Sequence, residues 1–485
     1  MQESKFCERI KHVLLDNVDI IISIIGILPL VIPLFYLMPA KDDYSIIASA
    51  YEYKLAGKSC LAYMLDMVKN TYNNWQGIWF AQFLATGFIY NFGFNVISYR
   101  MGILFIIICL TGSILYFLRV VTKYLEMGKI RFIFIPIVII GALNTYSGDQ
   151  AIYWFCSSLL YLFHFSLSLF ALTLFVKYLS NRSALYLVIS SIIAFVSTGG
   201  VLMVTGFLNM CALIMLCYLL YSHQFKKTQL FFFLSCIVGA LINALAPGNF
   251  VRHTRIIEIQ GDSISNHSTV SLLMNACINT IKIFVSCYGK LFCISFILVV
   301  ICSCFFIGIT LKNKRKMSIF AVVGGGISVV FVTIFPIAYG YNSSTIDTRS
   351  QYLIGIVEMM VAAIIFYTLG AWISSKYDIT IDKNIKTIIS AFLLCMAVGI
   401  AVDNYKSSES MTSITILKEA GSGILADYEE SYRRIYASIK NGDSDDIVMQ
   451  IPVIDTKSLV PNNVSWNGAL GYLKEYIDAF EYETK

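Results

Sequence analysis

The chain alternates between long apolar runs and short polar connections, and that alternation predicts its elements. Runs apolar enough for membrane helices cover 18–38, 96–120, 132–146, 155–176, 184–197, 201–221, 230–245, 291–311, 319–339, 352–373 and 387–402. Residues 79–95 carry Gly87 and Gly93 and are interrupted by Asn91 and Asn95, so they read as an interfacial or re-entrant helix. Every second connection is basic. Lys5, Arg9 and Lys11 precede the first run, and Lys123, Lys129 and Arg131 follow the second. The pattern continues through Lys177 and Arg182, Lys226 and Lys227, the cluster from Lys312 to Lys316, and Lys376 with Lys383 and Lys386. By the positive-inside rule this predicts about eleven spans with the N-terminus in the cytoplasm and the C-terminus outside.

Composition agrees with that class and excludes a soluble enzyme. The chain is 57% hydrophobic and 14% charged, with a mean hydropathy of +0.71, too apolar for one soluble core. The run 18–38 is longer than a signal-peptide core and no small-residue cleavage site follows it, so it is expected to stay as a spanning anchor. Most of the thirteen cysteines fall inside apolar runs, where cysteine behaves as a small hydrophobe. The net charge of +6 comes from short loops between spans; it is a topology signal and does not point to nucleic acid.

The expected organisation is therefore an all-α polytopic protein with the lipid bilayer as its first partner. It comprises a cytoplasmic tail (1–17), a membrane domain (18–402) with a large first external loop (39–79), and a small external C-terminal domain (403–485). In that last segment 412–440 has a helical pattern, 447–454 alternates like a strand, and 467–480 reads as a closing amphipathic helix, which predicts an α+β fold.

On this topology four polar connections share the outer side. The first holds Asp42 and Asp43, with Tyr72, Asn74 and Trp75 near its end; the second, 145–154, holds Asp149, Tyr153 and Trp154. The third, 247–271, holds Asn249, Arg252, His253 and Arg255; the fourth, 341–351, holds Asp347 and Arg349. Carboxylates facing fixed cations suit the transfer of a group off a phosphate: a base takes the acceptor proton and guanidinium forks hold the leaving phosphate. Each group also has a plain structural reading. Asp42 or Asp43 can serve as a helix cap or dipole partner, and the Arg252, His253 and Arg255 cluster can be an interfacial basic patch. His164 and Glu358 lie inside predicted spans, where an ionisable side chain is costly; either a helix contact or a site would account for them.

These features together resemble the GT-C superfamily of membrane glycosyltransferases, which use polyprenyl-phosphate-linked sugars. The resemblance is carried by Asp42-Asp43-Tyr44 after the first span, Trp75-Gln76-Gly77 at the end of that loop, many further spans and an external C-terminal domain. A bacterial multispanning branch of that superfamily is similar in further respects: Tyr153-Trp154 with Tyr161, Ala246-Pro247-Gly248-Asn249 with Arg252, and Trp466-Asn467 near the end. What the resemblance implies is a GT-C-like enzyme of the bacterial plasma membrane. It would move a sugar from a polyprenyl-phosphate donor to a lipid-linked or cell-envelope glycan on the outer face. Asp42 or Asp43 would be the general base or a magnesium or manganese ligand. Arg252, Arg255 and Arg349 would hold the donor phosphate, and Tyr72, Asn74, Trp75, Tyr153, Trp154, Asn249, His253 and Glu358 would line the substrate. The chain departs from the pattern at Ile78, where relatives often carry a basic residue, and at the polar Gly148-Asp149-Gln150. Two other classes compete: a transporter or flippase for lipid-linked sugars, and a non-catalytic scaffold for envelope assembly.

Overall fold

A computed structural model of the chain describes residues 16–144, 146–259, 269–289, 294–310, 318–379, 381–406, 411–460 and 469–481. Every regular element among them is helical. The order is α1 (Val18–Ile27, running into a 3-10 stretch Leu28–Phe35), α2 (Asp42–Leu55), α3 (Cys60–Asn74), α4 (Trp79–Phe92), α5 (Val96–Tyr124) and α6 (Arg131–Asn144). There follow α7 (Asp149–Ile152), α8 (Phe155–Ser158), a π-turn Leu159–Phe163, α9 (His164–Asn181), α10 (Ala184–Ser197), α11 (Leu202–Tyr221) and α12 (Leu230–Ala244). Then come α13 (Pro247–Ile259), α14 (Thr269–Gly289), α15 (Ile294–Thr310), α16 (Ile319–Tyr341), α17 (Thr348–Tyr377) and α18 (Lys383–Lys406). The C-terminal segment holds α19 (Thr412–Gly421), α20 (Ile424–Lys440), α21 (Asp445–Met449) and α22 (Ala469–Tyr476).

Eight of the described helices are long and apolar enough to cross a membrane: Val18–Phe35, Val96–Tyr124, Phe155–Asn181, Leu202–Tyr221, Lys227–Ala244, Ile319–Tyr341, Thr348–Tyr377 and Asn384–Asp403. The protein is thus multi-pass and all-α. Each of the eleven expected runs holds a helix, but α6 and α10 have 14 residues each and α15 has 17. At 1.5 Å per residue, 14 residues cover about 21 Å, less than a bilayer core of about 30 Å. The count of eleven full-length spans is corrected accordingly. A further helix, α14, with the apolar stretch Val270–Ser286, lies where a polar connection was expected. Residues 79–95 do form a short helix, α4, of 14 residues.

The α+β expectation for the C-terminal segment fails: no strand occurs among its described residues, and the β-pairing there is the isolated bridge of Glu481 to Asn95. Residues 447–454 instead divide between α21 and irregular chain. Asp445 and Asp446 occupy the first turn of α21, where acidic side chains favour a helix start, and Pro452 cannot donate to a ladder. Tyr428, Tyr432 and Tyr436 follow one another along α20 with their rings tilted against each other, fully or nearly fully buried. The segment is also docked on the helices before it. Thr412 Oγ1 donates to the Tyr146 carbonyl at 2.5 Å, the Ser413 N–H to Asn144 Oδ1 at 2.8 Å, and Arg100 pairs with Glu429 at 2.9 Å. The hydrophobic core runs through both parts without a break. Trp466 and Asn467 lie outside the described residues.

The opposite end of the bundle is fixed by charge. Asp19, fully buried, accepts two hydrogen bonds of 2.8 Å from Arg119, which also donates to Asn17 Oδ1 at 2.9 Å. This bidentate pair fastens the start of α1 to the last turns of α5.

Candidate functional site

The four polar connections meet at one end of the bundle. Two of the quoted motifs touch directly: the Gly77 N–H donates to Asn249 Oδ1 at 3.1 Å, while Asn249 Nδ2 donates to the Asn243 carbonyl at 2.6 Å. Glycine is needed on both sides of this contact. A Cβ on Gly248 would lie 2.6 Å from the Trp75 and Gln76 backbone nitrogens, and one on Gly77 would meet the Asn243 backbone and side chain. Tyr72 ties the same loop down by donating to the Ile242 carbonyl at 2.9 Å. Asn249 and Tyr72 therefore work as structural ties.

Arg252 occupies the next turn of α13. Its guanidinium lies between the rings of Trp75 (5.0 Å) and Tyr341 (4.8 Å), donates to Gln76 Oε1 at 2.6 Å, and hydrogen-bonds the Tyr341 hydroxyl. Two of its donors are thus committed inside the protein. It latches the end of the first connection to the end of α16. His253 stacks on Tyr339 with centroids 4.9 Å apart and 5° between planes, both ring nitrogens buried without a partner; Arg255 is exposed.

The acidic pair is split by helix geometry. Asp42 and Asp43 sit in the first turn of α2, and neighbours on a helix point about 100° apart. Asp43 turns inward and is fully buried. Its Oδ2 accepts from the Tyr99 hydroxyl at 2.5 Å and the Ala40 N–H at 3.2 Å, and its Oδ1 accepts from the Cys156 N–H at 3.2 Å. Burial pushes its pKa up to about 6, against the pull of the Cys156, Tyr99 and Ala40 donors. Asp42 turns outward and is exposed. Desolvation by the neighbouring protein raises its pKa, while Arg349 and then Lys41 draw it down.

No family model matches the chain, and neither a curated protein nor a solved structure matches it. The site itself carries the functional reading.

Trp154 is its centre. The Lys41 ammonium lies 4.8 Å from the indole centroid and the Arg349 guanidinium 4.7 Å, while Arg349 also lies 5.7 Å from the Tyr161 ring. The π-turn that presents Tyr161 is held by His164, whose Nδ1 is 2.8 Å from the Leu159 carbonyl, so His164 has a structural duty. Around the two cations stand three carboxylates: Asp347, bonded to Arg349 at 2.9 and 3.2 Å, with Asp42 and Asp149 in the electrostatic neighbourhood of Lys41. Burial, and then Arg349, lower the pKa of Lys41, and the three carboxylates oppose that. Burial raises that of Asp149 against bonds from Gln150 and Ser147 and the charge of Lys41. Tyr341 joins the halves, since it bonds Arg252 and shares the electrostatic neighbourhood of Arg349, Asp347 and Tyr161.

Five buried polar atoms on these segments have no partner. The Trp154 indole Nε1, the hydroxyls of Ser157 and Ser158, and those of Thr348 and Ser350 flanking Arg349 are all in this state. Others, such as Arg131 Nε toward the opposite end of the bundle and the Tyr476 hydroxyl in the C-terminal segment, lie elsewhere among the described residues.

Lys41 is the residue that sequence reasoning missed; the adjacent acidic pair drew attention past it. Asp149, a candidate of the second connection and also a departure from the resemblance, lies in the electrostatic neighbourhood of that lysine. Other predicted residues lie apart from the mouth. Tyr153 donates to the Leu30 carbonyl at 2.8 Å in the core, and Asn74 bonds Asn70 at 2.8 Å on the surface. Glu358 is buried in α17 with Oε1 unpartnered, nine residues and so about 14 Å along the helix from Arg349. Among the described residues no three His, Cys, Asp or Glu side chains are grouped to hold a metal ion.

Proposed function

We propose that the protein is a GT-C-type membrane glycosyltransferase of a bacterial plasma membrane. It transfers a sugar from a polyprenyl-phosphate donor to a lipid-linked or envelope glycan on the outer face. The observation that carries this reading is the pair of cations on Trp154 beside one open carboxylate, Asp42. Arg349, Lys41 and the unpartnered Trp154 N–H suit an anionic phosphate at the membrane end of the bundle. Asp42 suits the acceptor. It removes the proton from an acceptor hydroxyl as that oxygen bonds the anomeric carbon, and the carbon–oxygen bond to phosphate breaks with its electron pair going to the phosphate. Arg252 shapes the rim through Gln76 and Tyr341. The N-terminus is assigned to the cytoplasm, because the end of the bundle away from the mouth carries Arg119, Lys123 and Arg131.

The test is a deletion strain complemented with the native chain, Asp42→Asn or Asp43→Asn at matched membrane levels, with envelope glycans and lipid-linked sugars measured by mass spectrometry. Removing a general base costs on the order of 10²–10⁴ in rate. The Asp42→Asn strain is expected to lose a sugar from an acceptor and to accumulate polyprenyl-phosphate sugar. Native glycans in that strain would refute the reading. A transport reading draws on Glu358, buried in a span with an unpartnered oxygen. It predicts instead that Glu358→Gln abolishes the phenotype rescue and Asp42→Asn leaves it intact.

A further inference from the structure

We infer that Asp43 is the positioning residue of this mouth, holding Lys41 and Trp154 in register by binding the backbone on the far side of each. Asp43 itself has no exposed surface, so it does not meet a substrate. What it meets is the N–H of Ala40, one residue before Lys41, and the N–H of Cys156, two residues after Trp154. The Tyr99 hydroxyl closes the arrangement: it donates to Asp43 at 2.5 Å and accepts the Phe155 N–H at 3.3 Å. One carboxylate and one phenol therefore join the entry to α2, the start of α5 and the first residues of α8.

The local backbone shows why Lys41 needs such support. Its φ of 49° with ψ of −119° lies in a region that residues bearing a Cβ rarely adopt, and it persists only where the surroundings over-determine it. The hydrogen bond from Ala40 fixes the residue before the strained one, and the helix start at Asp42 fixes the residue after it. Lys41 is thereby turned over the indole instead of out into water, where a lysine would otherwise lie. Cys156 N–H and Phe155 N–H hold the opposite wall. The working consequence rests on the transferase reading above; the geometry does not depend on it.

The experiment reads Lys41 directly. Reductive ¹³C-methylation of the full chain in lipid nanodiscs gives methyl-lysine NMR signals, and Lys41→Arg assigns the one from Lys41. A lysine over an indole ring has upfield-shifted methyl signals. Lys54, 4.4 Å from the Phe94 ring at the other end of α2, is an internal control for the fold of that helix. In Tyr99→Phe and Asp43→Asn the Lys41 signal is expected to lose its ring shift while Lys54 keeps its own. In Asp42→Asn both are expected to stay. If Asp43→Asn also displaces Lys54, the milder Tyr99→Phe decides. A Lys41 signal that stays ring-shifted in Asp43→Asn, or that is not shifted in the native chain, overturns the inference. Displacement of Lys41 with unchanged envelope glycans would remove the transferase reading and leave the positioning role standing.

Discussion

Asp43 sets a pH dependence of stability that can be worked out in advance. Burial raises its pKa in the folded chain to about 6, from an ordinary carboxylate value of 3.8. The folded chain therefore holds this proton more tightly than the unfolded chain. The resulting stabilisation is complete below about pH 4 and is lost as the pH rises through about 6. About two pH units at about 1.4 kcal/mol each give a swing of about 3 kcal/mol. Asp43→Asn removes the swing, since an amide does not titrate. It carries its own constant cost: if its oxygen faces Tyr99 and Ala40, its NH₂ faces the Cys156 N–H, and a buried donor left unsatisfied costs about 1–3 kcal/mol. The native chain should thus be the more stable of the two near pH 4, and the margin should close by neutrality. The assay is the unfolding free energy of both proteins in the same micelles, by steric trapping, from about pH 4 to about pH 7.5. Asp42 and Asp149 are also raised by burial, so both proteins should share their slope and the difference should isolate Asp43. A flat difference would show that the Asp43 proton is held no more tightly in the folded chain than in the unfolded one. A native chain that gains on Asp43→Asn as the pH rises would show that the three donors outweigh burial.

Two further substitutions probe the frame around the site. Asn249→Ala removes the acceptor of the Gly77 N–H and the donor to Asn243, and should cost about 1–3 kcal/mol; a lowered melting temperature together with new proteolysis near Gln76 would be the sign. Arg119→Met strands the buried Asp19 and should cost about 3–5 kcal/mol, seen as a drop in steady-state membrane level, with much of it recovered when Asp19→Leu is added.

The membrane helices were legible because hydropathy and helix length are fixed by the bilayer. Helix α14 was not, because Asn275, Asn279 and Lys282 break its apolar run, while the helix packs its small and branched residues Ala276, Thr280 and Ile283 inward. The strand expected at 447–454 came from alternation alone, and two aspartates with a proline decided against it. At the site, the acidic pair could be found but not resolved: adjacent helical residues diverge, and which one turns inward depends on Tyr99 and Cys156, distant in sequence. Lys41 gave no periodic signal at all. Its place over Trp154 comes from a strained backbone and a contact across 113 residues between Asp43 and Cys156. Arg252 was recognised as basic and near the motif, yet its hydrogen bonds to Gln76 and Tyr341 could be seen only in three dimensions.

Sugar transfer is tested directly with the donor that the deletion strain accumulates. Lipid-linked sugars extracted from that strain, offered with its envelope glycan to purified protein in liposomes, would be followed for release of free polyprenyl phosphate by mass spectrometry. Release is expected with the native chain, with a fall on the order of 10²–10⁴ with Asp42→Asn. Equal release from both proteins, or none from the native chain, would contradict the transferase reading.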